Sequence, residues 1–368
     1  MTSRQRVQAS FQHRQPDRTP VFEYVLLPPL AEQILERPFV EYLGGMQPWL
    51  DAAASDGFER TLRRYARGRV EIASRLEHDL MCLSPNPVPG EAYFYDPLDA
   101  LGLRFELKES GDPVERLSQR NLRVSEEMLG DLPRDCYLVY EFVREEMKGR
   151  DLDLPILAPA YFHGIWTDAD LMQVMVLAPD VAREHFFLAT ERANRVIDDY
   201  AEIGIDMVGI GGDFAGRRLL ISPDSYREFI VPEVRRCARR LREAGIYSVN
   251  ATDGDIWPVI DAFLFGCEVD AYLEIDMSAG MDLGKLKALY GDKILLFGNM
   301  DCGSILSFET PEEIRKITFE TLDAGWGQGG HIFTASNAIT QSVPLRNYLA
   351  MVNAYREYFR LPELELSL

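Results

Sequence analysis

Six short apolar runs, separated by stretches of helical periodicity, fill the second half of this chain, and few folds accommodate such a series. The runs are Ile156–Ala160, Met207–Gly211, Tyr247–Ala251, Ala271–Glu274, Ile294–Gly298 and Ile332–Ala335. The helical stretches around them are 168–178, 180–203, 223–244, 255–265, 282–290, 311–324 and 344–359. The runs do not alternate apolar with polar, which suits parallel strands covered on both faces. Several helices open on good start signals: Ser222-Pro223, Thr310-Pro311-Glu312-Glu313 and Val343-Pro344. Proline's missing N–H costs nothing in a first turn. Serial βα units leave two choices, a barrel or a doubly wound sheet. A dinucleotide-binding sheet needs G-x-G-x-x-G at a strand–helix turn, and Gly209-Ile-Gly-Gly-Asp-Phe has the wrong spacing. No P-loop, H-E-x-x-H or G-x-S-x-G is present. The expectation is an α/β fold, a (β/α)8 TIM-type barrel with an elaborated N-terminal region.

The first third is built differently. Residues 3–14 read as helix, Asp17–Pro20 as a turn, Val21-Phe-Glu-Tyr as a first strand and 47–78 as helices. Residues 85–150 contain few strand-like runs and read as an insertion at the barrel mouth. No linker-like tract divides the chain, so residues 1–368 are expected to form one barrel domain.

Charge and cysteine usage narrow the functional classes. Lys and Arg total 39 against 59 Asp and Glu, a net charge of −20. Such a surface repels phosphate backbones and anionic lipid, so neither nucleic acid nor a membrane is an expected partner. The five cysteines are scattered without a C-x-x-C pair, which predicts free thiols in a reducing compartment. The N-terminal stretch lacks the apolar core of a signal peptide, and no apolar run approaches the ~20 residues of a membrane span. Together these predict a cytoplasmic protein.

In a barrel of this kind the chemistry sits at the C-terminal ends of the strands. Reading each run to its end gives Glu23, Asp213, Asp253 and Asp276 as candidate catalytic groups. Converging carboxylates can move protons or hold a cation. Asp253 is followed by Gly254, which allows a tight turn toward a ligand. Asp255 and Asp282 precede helical stretches and read as helix caps. Candidate substrate-binding residues are Tyr24, Tyr161, His163, Arg217, Trp257, Asn250 and Asn337. His163 is the one histidine at a strand end, and Arg217 with Arg218 forms the one adjacent pair of cations on a presumed βα loop. No His/Cys spacing suggests a thiolate zinc site, and no metal is assigned.

Several segments carry a family resemblance: Arg4-x-Arg-Val with Pro16-Asp17-Arg-Thr-Pro-Val, Ile221-Ser-Pro-Asp-Ser-Tyr-Arg-Glu-Phe, Ala279-Gly-Met-Asp-Leu-Gly-Lys, Gly298-Asn-Met-Asp and Val343-Pro-Leu-Arg-Asn-Tyr. Taken together they resemble the uroporphyrinogen decarboxylase superfamily, most closely its corrinoid-dependent, O-demethylase-like methyltransferase branch. The decarboxylases of that superfamily carry Arg-Gln-Ala-Gly-Arg-Tyr near the N-terminus; here Val21-Phe-Glu-Tyr-Val-Leu-Leu-Pro-Pro stands without paired arginines. Thiol-methylating members have a His-x-Cys-Gly loop that supplies two zinc ligands, and O-demethylase-like members have His-x-Asp-Gly. This chain keeps Asp253-Gly254, has Ala251 at the histidine position, and has Ser336-Asn337-Ala338 where a His or Cys is usual. The resemblance implies methyl transfer between a small methylated substrate, such as a methoxy compound, and a corrinoid carried by a partner protein. It also implies a homodimer, with zinc not expected. A decarboxylase or lyase acting on a smaller acid, and a non-catalytic metabolite-binding relative, are the alternatives.

Overall fold

The apolar runs form strands because each can be buried on both faces, one toward a barrel interior and one toward helices. The computed structural model describes residues 1–42, 46–88, 111–127 and 133–366. Seven parallel strands follow one another in chain order: β1 (Met81–Cys82), β2 (Ile156–Phe162), β3 (Met207–Gly211), β4 (Tyr247–Ala251), β5 (Ala271–Leu273), β6 (Leu295–Phe297) and β7 (His331–Ile332). The N-terminal segment closes the ring. Phe22 N–H donates to Phe333 O at 3.3 Å and Phe333 N–H to Pro20 O at 2.8 Å, while on the other side Asp79 N–H donates to Val21 O at 2.7 Å. Seven strands and this bridging segment make the eight staves of a (β/α)8 barrel, as the serial βα pattern predicts.

Two apolar layers divide the work. The interior is filled by Phe22, Leu80, Cys82, Leu157, Met207, Val249, Leu273, Leu295, Phe297 and Ile332. A larger outer layer lies between the strands and the surrounding helices. The helix Ser3–Phe11, capped by Thr2 through a capping box, plugs the floor. Its Phe11 ring stacks on Tyr247 at 3.9 Å. The floor is therefore apolar and shut, and the polar strand ends lie at the opposite face.

The helices start where the sequence signals them. Ser222, Thr310 and Asp282 each accept a backbone N–H as N-cap, and proline follows the first two. The stretch 255–265 is less regular than a single helix, breaking into a 3-10 turn at Trp257–Val259 and a π turn at Ala262–Gly266. Within 85–150, the described helix Leu138–Gly149 packs on Phe58–Arg75, and Pro113–Glu127 packs on Ala169–Leu177 and Pro179–Ile203. Residues 89–110 and 128–132 of that region lie outside the described residues. All five cysteines are free and buried. Among the described residues no helix is long and apolar enough to cross a membrane.

Candidate active site at the barrel mouth

Three of the four predicted carboxylates meet at the mouth. The loop after β3 brings Asp213, and the loop after β4 brings Asp253, whose N–H donates to Asp213 Oδ1 at 2.9 Å. Gly254 N–H donates to Asp276 Oδ2 at 3.3 Å. Gly254 is obligatory here. Its φ is +87°, and a Cβ would lie 2.6 Å from the Gly216 backbone nitrogen, so no side chain fits between the two loops. Asp255 N–H donates to Gly216 O at 2.7 Å and clamps the same pair of loops.

Burial raises the proton affinity of Asp253 and Asp213. Asp253 is pushed up to about 7, first by burial and then by the neighbouring Asp213 and Asp276. Asn337 opposes that shift, donating its amide N–H to Asp253 Oδ2 at 2.5 Å. Asp213 is raised by burial against the Asp253 N–H and the Thr252 hydroxyl. Asp276 has a more structural part. Beyond Gly254 it accepts Ser278 Oγ–H at 2.6 Å and Ala279 N–H at 3.1 Å, which folds the loop after β5.

Glu274 joins this group and escapes a reading by alternation. In β5, Ala271 and Leu273 face the interior and Tyr272 faces the helices, so the next residue inward is unexpected. Glu274 adopts a left-handed φ of +71° and turns its carboxylate into the mouth beside Asp213 and Asp253. Burial, then those two carboxylates, raise its pKa well above the usual range. The signal for it was a carboxylate ending an otherwise apolar run, Ala271-Tyr-Leu-Glu.

Strand alternation sorts the other predicted residues. Phe22 and Tyr24 face inward, and the Tyr24 hydroxyl is raised by burial and by Glu274, Asp213 and Asp253, which places it with the cluster. Glu23, between them, faces the helices. It accepts Ala335 N–H at 3.4 Å and Thr334 Oγ–H at 3.5 Å beside Tyr348, away from the three aspartates. Asn250 likewise points outward between Val249 and Ala251, donating to Phe263 O at 3.2 Å. Its side chain explains Gly211, where a Cβ would lie 2.1 Å from Asn250 Oδ1. Tyr161 faces the helix layer, with Cys237, Glu233 and Thr190 acting on its hydroxyl. His163 is buried, held neutral with its pKa lowered to about 4, and packed edge-on against Phe214. Trp257 lies on the rim, its indole N–H donating to Gly280 O at 3.1 Å and Lys285 Nζ 3.8 Å from its ring. Arg217 is exposed at the tip of a short hairpin closed by the Ala215–Leu219 bridge. The structure thus gathers Asp213, Asp253, Asp276, Tyr24 and Asn337 and leaves Glu23, Asn250, Tyr161 and His163 outside the cluster.

Glu23 carries a stability prediction instead. Burial pushes its pKa from 4.5 up to about 8. The unfolded chain loses this proton near 4.5 and the folded chain keeps it to about 8, so stability falls as pH rises through that window. Glu23→Gln removes the titration at nearly constant shape. The variant is expected to lose less stability between pH 5 and pH 8 than the parent, and denaturant midpoints at both values check this. Parallel pH slopes for the two proteins would count against a protonated Glu23.

The oxygen-rich mouth does not fit the zinc site of the thiol-methylating relatives. Ala251 offers no ligand, Asn337 spends its amide on Asp253, and Cys302 is a buried thiol beside Ser336 Oγ at 3.8 Å, pushed up to about 11 by burial. Among the described residues no group of three or more His, Cys, Asp or Glu is arranged to hold a metal ion.

Comparison with known proteins places this arrangement. Residues 97–358 match the family model for uroporphyrinogen decarboxylase (URO-D). A uroporphyrinogen decarboxylase of Aromatoleum aromaticum is 25% identical over 281 residues, covering 71% of this chain and 75% of that protein. One from Coxiella burnetii is 23% identical over 309 residues, covering 77% and 81%. Among solved structures, a methyltransferase from Methanosarcina mazei superposes with a TM-score of 0.68 over 98% of this chain and 99% of that one, at 17% identity, a likeness of fold. The sequence matches that family's model over most of its length, and the fold is the barrel the match calls for: this chain belongs to the uroporphyrinogen decarboxylase family.

Proposed function

We propose that this protein is a methyltransferase that moves a methyl group between a small methylated substrate and a corrinoid held by a separate protein. The observation that carries the reading is the buried group of carboxyls Asp253, Glu274 and Asp213, each with its proton affinity raised by burial, at an otherwise shut barrel's open end. Methyl groups on oxygen or nitrogen leave only when the atom they leave bears positive charge or receives a proton. A carboxyl group with its pKa near neutrality is matched to that task. Asp253 therefore acts on the leaving atom, Asp213 orders its backbone, Asn337 fixes its side chain, and Glu274 with Tyr24 lines the same space.

The corrinoid supplies the carrier that takes the methyl group. Trp166, on the loop after β2 with its N–H donating to Asp213 O, and Leu220, after β3, are large exposed apolar side chains at the mouth and offer a partner a surface to rest on. Decarboxylation of a polyacidic tetrapyrrole fits less well, because the inner mouth is lined by carboxylates and its arginines, Arg217 and Arg218, lie exposed on one outer hairpin. The reading is tested by mixing the purified protein with a corrinoid protein and a panel of methylated compounds. Mass spectrometry should find a demethylated product that needs both proteins. Carbon dioxide release from a carboxylic acid, with no demethylation, would replace this reading by a decarboxylase.

A further inference from the structure

A cleft of about 380 Å³ lies between the loop after β5 and the helix Pro311–Gly325. None of the residues gathered at the mouth lines it. Its size is that of a small-molecule site, and its apolar walls are Met277, Met281, Leu283 and Ile317. Two buried polar side chains also line it: Asn299, 2% exposed, and Thr321, 3% exposed. Each keeps an oxygen, Asn299 Oδ1 and Thr321 Oγ, without a hydrogen-bond partner among the described residues. Buried oxygens in that state are few in folded proteins, and each calls for a partner.

The surrounding chain fixes how these two side chains stand. Asn299 Nδ2–H donates to Met281 O at 3.3 Å, which sets the amide the one way round that leaves Oδ1 over. His331 Nε2–H donates to Gly298 O at 2.7 Å and holds the backbone that presents Asn299. A helical threonine can return its hydroxyl to the carbonyl one turn back, and Thr318, on the same helix, does so to Ile314 O at 2.8 Å. Thr321 does not. The exposed rim of the cleft carries Asp282 and Glu320, and no lysine, arginine or histidine among the described residues lines it. Two lysines of the adjoining helices are engaged elsewhere, Lys285 Nζ over the Trp257 ring at 3.8 Å and Lys316 with Glu313 at 2.8 Å. An anionic ligand would find no partner here. A ligand rich in N–H donors finds acceptors inside and negative charge at the rim.

We propose that this cleft is a second binding site, for a small organic amine whose ammonium N–H groups donate to Asn299 Oδ1 and Thr321 Oγ and whose apolar body lies along the methionines, Leu283 and Ile317. Asp282 and Glu320 set the sign of the charge that enters. Met277 and Met281 are flexible side chains and close on the body of the ligand. The ligand rests on the same loop that supplies Asp276 to the mouth, where Asp276 accepts Gly254 N–H. The site takes no part in the proposed methyl transfer and stands whether or not that reading holds.

Calorimetry on the full chain would use phenethylamine as the probe, against 3-phenylpropanoate, which keeps the ring and reverses the charge. The amine should bind and the acid should not. Thr321→Val keeps the shape of the side chain, and its hydroxyl has no partner to lose. Its unfolding midpoint should therefore hold while the amine binds about tenfold more weakly, the effect of losing one hydrogen bond to a charged group. Glu320→Gln, on the exposed rim, should weaken the amine too, and it serves alone should Thr321→Val fail to fold. The acidic mouth is the competing place for a cation, and Asp253→Asn tells the two apart, because it should leave the affinity for the amine unchanged. An amine lost from Asp253→Asn and kept by Thr321→Val binds at the mouth and overturns the proposal. So do equal binding of amine and acid, no binding of phenethylamine at millimolar concentration, and a lowered midpoint for Thr321→Val, which would mean that the hydroxyl is already satisfied in the free protein.

Discussion

Asp253→Asn is expected to lower methyl transfer by about 10²–10⁴-fold, the usual loss when one acid–base group is removed, with little change in thermal unfolding. The amide preserves size and can still meet the Asn337 side chain, while the N–H to Asp213 Oδ1 belongs to the backbone and is untouched. What disappears is a group that binds and releases a proton near neutral pH, its pKa pushed up to about 7 by burial and by the two flanking aspartates. The division of the effect is informative. If the leaving atom needs a proton, the loss appears in kcat and the pH profile loses its limb near neutrality. If the leaving atom is already cationic, the loss appears largely in KM. Steady-state kinetics and unfolding on one sample measure both, and an unchanged kcat/KM would remove Asp253 from the mechanism.

The largest effect on stability is expected at Asp79, which no functional argument touches. Its carboxylate is fully buried and pairs with Arg6 and Arg18, each at 3.1 Å, while also accepting Val21 N–H at 3.1 Å. Its own N–H donates to Val21 O. One residue thus ties the N-terminal segment to β1. Asp79→Ala leaves the mostly buried Arg18 without its carboxylate and Arg6 with Asp17 alone, and breaking such a buried pair from one side costs about 3–5 kcal/mol. Against a total stability of about 5–15 kcal/mol, that is a large fraction. Denaturant midpoints check it, and Asp79→Asn should cost less because the amide oxygen can still accept from Val21. A midpoint for Asp79→Ala within error of the parent would mean that the two arginines find other partners.

The six runs of the second half were legible as strands because each is long enough, or apolar enough, to need burial on both faces. β1 was not, since two residues, Met81 and Cys82, carry no periodicity and only their partner Ile156–Leu157 gives them a role. At the site, Asp213, Asp253 and Asp276 could be placed by position alone, because each lies two or three residues past its strand, on the loop that forms the mouth whichever way the strand alternates. Residues within the strands were harder. Glu23, Asn250 and Tyr161 are polar and near strand ends, but a one-residue change of parity sends a side chain to the helix layer. Glu274 shows the opposite case. Its left-handed backbone reverses the parity, and nothing in the residue type announces that conformation.

Closing the barrel through Pro20–Phe22 and Phe333 has a kinetic consequence. The last stave to be synthesised must find the first across more than three hundred residues of chain, and contacts of such sequence separation slow folding. Until Phe333 arrives, β7 and β1 each present an unpaired parallel edge where other chains can add. The Asp79 ion pairs act on one of these edges early, because Arg6, Arg18 and Asp79 all lie within the first quarter of the chain. The N-terminal segment can thus cover β1 while the rest is still being made, and the far edge of that segment, at Pro20–Phe22, is left waiting for Phe333.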